Sequence, residues 1–292
     1  MVLPRAAALT EASLAHWPLP DPGPNADKEA RGQVLVIAGS TELRGAALLA
    51  GIAALRAGAG KLTIACPASI APGLALAVPE SRVIPLPETR GGGLAARGCE
   101  ALAPLAERVA AVVVGPGLRD ERGSMPFVRR LLPLFRECTV LLDSIAMSVA
   151  TERPFDTPVL LTPHAGEMAH LSGLSKEAIA QEALAVACEA AVRWNACVVL
   201  KGARTIIATP QGRAWRFDDG SLGLATSGSG DVLAGLMGGF AARGLPPEQA
   251  AAWAVVVHAK AGNNLGRRLG PVGYLARELG GEVPAVMRKL GR

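Results

Sequence analysis

The chain has 292 residues, half of them hydrophobic, with a formal charge of +5. That is enough apolar material for a sizeable core, and an aromatic content of only 3% favours Ala-, Leu- and Val-rich helices packed on a sheet over an all-β sandwich. The positive balance is dispersed, without a dense Lys/Arg block or many aromatic platforms for bases; this argues against a nucleic-acid partner and suits a small phosphorylated ligand.

Residues 1–30, with Pro18, Pro20, Pro22 and Pro24, read as an extended lead-in that docks on the body. Glu11 interrupts its short apolar stretch before a secretory core can form. Residues 31–292 read as one domain, since no linker or repeat divides them. From Gln33, "QVLVIAG" predicts a strand, "GAALLAGIAALRAG" a helix and "KLTIAC" a second strand. The uncharged run over residues 62–79 is broken by Pro67, Pro72, Gly73 and Pro79, so it predicts no membrane span.

Further on, "AAVVVGPG", "TVLLDS" and "PVLLTPH" are short apolar runs ending in Gly, Pro, Asp or Ser, the pattern of strands buried on both faces of a parallel sheet. A helix is expected near residues 175–194. "CVVLKG", "RTIIAT" and "RAWRFD" then follow with turn-length gaps, which predicts an antiparallel meander at the sheet edge. Helices over about 230–243 and 247–266, and a short one at the end, complete the chain. The expected fold is α/β: a three-layer αβα sandwich around a mostly parallel sheet. Cys66, Cys99, Cys138, Cys188 and Cys197 lie too far apart for a zinc site or disulfide framework. They read as small hydrophobes in a reducing compartment, which makes the cytoplasm the expected location.

Open α/β sheets gather ligands at the carboxyl ends of their strands. Gly39-Ser40, Gly115-Pro116-Gly117, Asp143-Ser144, Thr162-Pro163-His164 and Lys201-Gly202 all fall there, so one rim collects them. "AGAGKL" around Lys61 fails as a P-loop, because Leu55 stands at the first glycine and Leu62 at the hydroxyl position. "GPGL" at 115–118 lacks the third dinucleotide-binding glycine; it is either a tight turn or a strand end where backbone approaches a ligand. His164 stands at a helix entrance, as a surface hydrogen-bonding residue or a ligand contact. Lys201, at the end of a buried strand, is either a strand terminator or the cation of a phosphate site.

The segment "LATSGSGDVLAG" carries the chemistry. A helix start offers unpartnered amides and partial positive charge, and Gly228, Ser229 and Gly230 leave that anion site without side-chain obstruction. Asp231 falls in the first turn, where the helix dipole is expected to hold it ionised. It is placed to accept a hydroxyl proton as that oxygen attacks phosphorus, while the amides absorb the developing charge. The competing reading is plain capping, with Ser as N-cap and Asp as a favourable first-turn residue.

"TSGSGDVLAGLMGGFAARG", with "LTPHAGEMAHL", "VVLKGARTIIAT", "VVVGPGL" and "GAALLAGIAALRAGAGKLTIA", resembles the ADP/ATP-dependent NAD(P)H-hydrate dehydratases of the ribokinase-like superfamily, in the family's order from about Gly32 onward. The resemblance implies that ADP or ATP phosphorylates the hydroxyl of a hydrated nicotinamide ring, in NADH or NADPH, after which phosphate leaves and the double bond returns. It implies Asp231 as the activating base, also touching substrate, and Gly228, Ser229 and Gly230 as the anion hole. Lys201, Gly202, Ala203, Arg204 and Thr205 would contact the nucleotide phosphates; Ala46, Gly117 and His164 would line the substrate pocket. It further implies Mg²⁺ bridging phosphates without a direct protein ligand, and a homo-oligomer, a tetramer in relatives. The chain departs from the family at Ile145 (usually Asp), Ser221 (usually Asn), and Ser227 and Arg119 (usually Gly). The same loop would also serve a kinase of a sugar- or vitamin-like alcohol, or a nucleotide-binding paralogue without turnover.

Overall fold

The structure, a computed structural model, describes residues 5–21, 23, 26–157 and 159–291. In chain order its elements are β1 (Ala7–Ala8), α1 (Glu11–Leu14), β2 (Gln33–Ile37), α2 (Gly45–Arg56), β3 (Lys61–Pro67), α3 (Ala71–Ala77) and β4 (Ser81–Leu86). There follow β5 (Ala111–Val114), α4 (Glu121–Leu131), β6 (Thr139–Leu142), β7 (Val159–Leu161), α5 (Ala165–Ser172), α6 (Lys176–Gln181) and α7 (Ala183–Trp194). The last third holds β8 (Ala196–Leu200), β9 (Thr205–Ala208), β10 (Ala214–Phe217), α8 (Ser229–Ala242), α9 (Pro247–Leu269) and α10 (Ala276–Leu290).

The strands form one ten-stranded sheet in the order β1-β10-β9-β8-β7-β6-β5-β2-β3-β4. Strands β4, β3, β2, β5, β6, β7 and β8 run parallel, and β8, β9 and β10 form the expected antiparallel meander. Alternate side chains of the central strands enter opposite cores. Val34, Val36 and Val113 face the helices α2, α8 and α9, while Leu35, Ile37, Val112 and Val114 face α4 and α7. Burial on both faces is why these strands read as continuous apolar runs rather than alternating ones.

Three expectations are corrected. The helix expected over 175–194 is two helices, α6 and α7, parted at Glu182, whose φ of −117° and ψ of 33° leave the helical region. The terminal helix is not short: α10 runs for 15 residues. The lead-in is not extended throughout, since it contributes β1, paired with β10, and α1, capped by Thr10 and Ser13. Trp253 Nε1 donates to Trp17 O at 2.7 Å, and the Trp17 and Trp215 rings meet edge to face at 5.4 Å. Pro22 and Pro24 lie outside the described residues. All five cysteines are unpaired; Cys66, Cys99 and Cys197 are buried, whereas Cys138 and Cys188 are partly exposed. Among the described residues no helix is long and apolar enough to cross a membrane.

Helix α8 lies against the sheet centre because its glycines remove the side chains that would keep it away. A Cβ on Gly235 would come within 2.2 Å of Ala50 O, one on Gly239 within 2.4 Å of Ala54 O, and one on Gly238 within 2.2 Å of Val113 Cγ2. Backbone thus meets backbone between α8 and α2, at a close approach that only glycine allows. Gly235→Ala is expected to lower stability by about 1–3 kcal/mol through overpacking. Gly281→Ala, in the exposed interior of α10 with no neighbour within 4 Å, should raise it by about 0.5–1 kcal/mol. Urea denaturation of the two variants checks the contrast.

Candidate active site

The parallel strands end on one rim, and glycines let those ends touch. At the switch point, where β2 lies between β3 and β5, Gly39 N donates to Pro116 O at 2.8 Å and ties the two loops together. Gly115 has φ of 127°, and a Cβ there would fall 1.9 Å from Asp143 O. A Cβ on Gly117 (φ 67°) would sit 2.5 Å from Ala46 Cβ, so the two residues expected to contact substrate are neighbours. "GPGL" forms a turn, with Leu118 N donating to Gly115 O at 2.8 Å.

The start of α8 lies on the same rim. Its N-cap is Gly228 in the left-handed region (φ 87°), with no side-chain cap, so Ser229 is not the N-cap and the plain capping reading fails. Ser229 N turns back to Thr226 O at 3.2 Å. Among the described residues the amides of Gly230 and Asp231 have no protein partner, which leaves two donors at the positive end of a fourteen-residue helix. Sequence reasoning missed the residue that pins this turn. His258, buried in α9, places Nε2 at 3.1 Å from both the carbonyl oxygen and the hydroxyl of Ser229. Burial lowers its pKa to about 4, so the imidazole is neutral at physiological pH. The signal was there to be read: a single histidine inside the apolar run "AVVVHAKAG" needs a partner.

Lys201 reaches into this rim, but its ammonium is already engaged. Nζ donates to Asp143 Oδ1 at 3.2 Å and lies 3.7 Å from Glu167 Oε2. Burial works against the lysine's charge; Asp143 and Glu167, with Asp231 behind them, outweigh it and hold its pKa above the ordinary value. Asp231 is half-buried, and the expectation that the helix dipole alone sets its proton affinity is corrected. Burial, reinforced by Asp143 and only partly offset by Lys201, pushes its pKa up to about 6. A carboxylate so raised is a better base than an ordinary aspartate and still largely ionised at neutral pH.

A cavity of about 590 Å³ opens beside these groups. It is lined by Lys201, Gly202, Ala203, Thr205, Ser229 and Gly230 and by the apolar Phe217, Leu224, Leu233 and Val255, while Asp231 is not among its lining residues. His164 lines both this cavity and a smaller one of about 280 Å³ beside it. It is also the N-cap of α5, its Nδ1 accepting from Gly166 N at 3.0 Å and Glu167 N at 3.1 Å, while the rest of the ring stays exposed. Two expected nucleotide contacts fall elsewhere. Arg204 is exposed and turned to Asp218, with Nε 3.6 Å from Oδ1. Gly228 lies outside the cavity lining, and a Cβ there would meet Leu49 Cδ1 at 2.5 Å. The departures from the family pattern are accommodated locally. Ile145 lines the smaller cavity, Ser221 Oγ lies 3.2 Å from Tyr274 Oη, Ser227 is exposed, and Arg119 pairs with Glu42 at 3.1 Å.

Comparison with known proteins places this geometry. The NAD(P)H-hydrate dehydratase family model matches residues 34–285. Over the full length of both proteins the chain is 46% identical to an ADP-dependent (S)-NAD(P)H-hydrate dehydratase of Xanthomonas campestris. It is 38% identical to a bifunctional NAD(P)H-hydrate repair enzyme of Moorella thermoacetica, covering 97% of this chain but only 54% of that protein, and so spans about half of such two-function relatives. The crystal structure of the Bacillus subtilis ADP/ATP-dependent NAD(P)H-hydrate dehydratase, co-crystallised with ATP and Mg²⁺, superposes with a TM-score of 0.86 at 30% identity over 98% of this chain and 99% of that one. By sequence along its length, the chain belongs to the NAD(P)H-hydrate dehydratase family.

Proposed function

We propose that this protein dehydrates hydrated NADH and NADPH, with ADP as the phosphoryl donor and residues 31–292 acting as one unit. The observation that carries the reading is the pair of unpartnered amides, Gly230 and Asp231, beside a carboxylate whose pKa lies at about 6. The nucleotide occupies the 590 Å³ cavity, its base and ribose against apolar lining residues such as Phe217 and Val255 and its phosphates toward Lys201–Thr205 and Gly230. Arg204 contributes there through its backbone, since its guanidinium is committed to Asp218. The hydrated ring lies toward Ala46, Gly117 and His164.

In this arrangement Asp231 accepts the ring hydroxyl's proton as that oxygen bonds to phosphorus and the nucleotide's P–O bond breaks, leaving AMP when the donor is ADP. The amides of Gly230 and Asp231 receive the charge developing on the phosphoryl oxygens. The C–O bond of the phosphorylated ring then breaks, phosphate takes the electron pair, and loss of the neighbouring ring proton restores the double bond. When bound with the nucleotide, Mg²⁺ would neutralise charge on phosphates lying along Lys201–Thr205 and Gly230. By family resemblance the proposal extends to a cytoplasmic homo-oligomer, a tetramer.

Incubation with hydrated NADH, ADP and Mg²⁺ is expected to restore the reduced-nicotinamide absorbance. A flat trace with ADP and with ATP would overturn the reading, and accumulation of a stable phosphorylated product would make the protein a kinase instead. The kcat/KM profile should rise with pH to a plateau, with its acidic limb near pH 6, where Asp231 loses its proton. Asp231→Asn should abolish turnover while keeping nucleotide affinity within about tenfold, or roughly 1.4 kcal/mol.

Asp231 also leaves a mark on stability. Its folded-state pKa lies above the ordinary value of 3.8, so the folded protein binds the extra proton and loses stability as pH rises from about 4 to about 6. Asp231→Asn removes that penalty. The variant should be more resistant to urea than the parent at pH 7, with the difference vanishing below pH 4.

A further inference from the structure

We propose that Asp143 is a positioning residue of this site: clamped by Thr162, it holds the Lys201 ammonium beside Gly230 and sets its own negative charge against Asp231. The proposal rests on the reading of Asp231 as the proton acceptor. No motif assigns such a role to Asp143, whose position at the end of β6 marked it only as one of the rim residues.

The geometry is specific. Asp143 and Thr162, at the ends of β6 and β7, are both buried, 5% and 1% exposed. The Thr162 hydroxyl donates to Asp143 Oδ1 at 2.6 Å, and Lys201 Nζ donates to the same oxygen at 3.2 Å. The backbone is fixed as tightly, since Asp143 N donates to Val114 O at 2.8 Å and Gly115 packs against Asp143 O. Ser144 follows in the left-handed region (φ 53°), a conformation uncommon for a residue with a side chain. On the far side of Lys201, Glu167 Oε2 lies 3.7 Å from Nζ and is held by the His164 amide at 2.8 Å. A Cβ on Gly230 would sit 3.7 Å from Nζ, so the ammonium borders the turn that presents the two unpartnered amides.

Asp143 and Glu167 both lie within 4 Å of the one ammonium, whose charge Asp231 also feels; beyond the effect of burial, the excess negative charge, Asp143's above all, keeps a proton on Asp231 to higher pH. Among the described residues the charges acting on Asp231 are those of Asp143 and Lys201. From α9 the facing group is the neutral His258. At the starts of α2 and α10, Arg44 and Arg277 are exposed and Glu278 caps Leu275 N. Without the charge on Asp143, Lys201 turns its full attraction to Asp231 and makes it a weaker base. Thr162 acts one step removed: it fixes the carboxylate's orientation without altering the charge count.

The test combines kcat/KM against pH with carbon-13 NMR titration of the Asp231 carboxyl, in the parent, Asp143→Asn and Thr162→Val. Asp143→Asn keeps the shape and the acceptor while removing the charge. It should move both the acidic limb and the NMR midpoint to lower pH, with kcat at neutral pH reduced roughly tenfold and nucleotide KM changed by less than about threefold. Thr162→Val should lower kcat with the limb in place, and Thr162→Ser should restore it. Loss of activity in Asp143→Asn with limb and midpoint unmoved would reduce Asp143 to a structural role and overturn the proposal. An unchanged profile would overturn it as well. An inactive parent whose Asp231 midpoint still falls in Asp143→Asn would sink the dehydratase reading alone and uphold the coupling.

Discussion

The site depends on how closely α8 can approach the sheet. Gly235, Gly238 and Gly239 let its backbone rest on α2 and β5, and this seating carries its first turn to the carboxyl ends of the central strands. A helix held one side chain farther out would still present amides to solvent. It would not bring Asp231 near the ends of β6 and β8, and so would not bury it beside Asp143 and Lys201. Core packing at one end of α8 and proton affinity at the other are consequences of the same contact.

That burial alters the chemistry expected of a first-turn aspartate. The helix dipole favours the ionised form, which alone would make Asp231 a weak base. Desolvation and the nearby Asp143 oppose the dipole and prevail. The outcome divides two tasks between neighbouring groups. In the proposed mechanism the amides of Gly230 and Asp231 receive the phosphoryl oxygens and the Asp231 side chain receives a proton. His258 keeps the turn in shape without adding charge, because its burial holds it neutral.

Much of this was legible from residues alone, for physical reasons that can be named. Doubly buried strands leave uninterrupted apolar runs, so "VLVI", "AVVV" and "TVLL" announced the parallel sheet, and the shift to closely spaced runs after residue 195 announced the meander. The stretch "SGSGD" was informative because only a site requiring bare backbone has reason to collect such residues before an acid. Other features were hidden because they arise between segments far apart in the chain. The partnership of Asp143 with Lys201 spans 58 residues, and the pinning of Ser229 by His258 spans 29. The direction of the Arg204 side chain depended on a surface acid, Asp218, that no motif contained. Local pattern foretold which groups stand on the rim; only tertiary packing decided which of them neutralise one another.

The most direct measurement of the central claim is a crystal structure of the protein with ADP, Mg²⁺ and a planar fluoride mimic of the transferring phosphoryl group. The account predicts the mimic within hydrogen-bond distance of the Gly230 and Asp231 amides, with the Asp231 carboxylate facing it from the side where the acceptor hydroxyl would arrive. A mimic bound away from the start of α8, or an Asp231 side chain turned from it toward Lys201, would contradict the account.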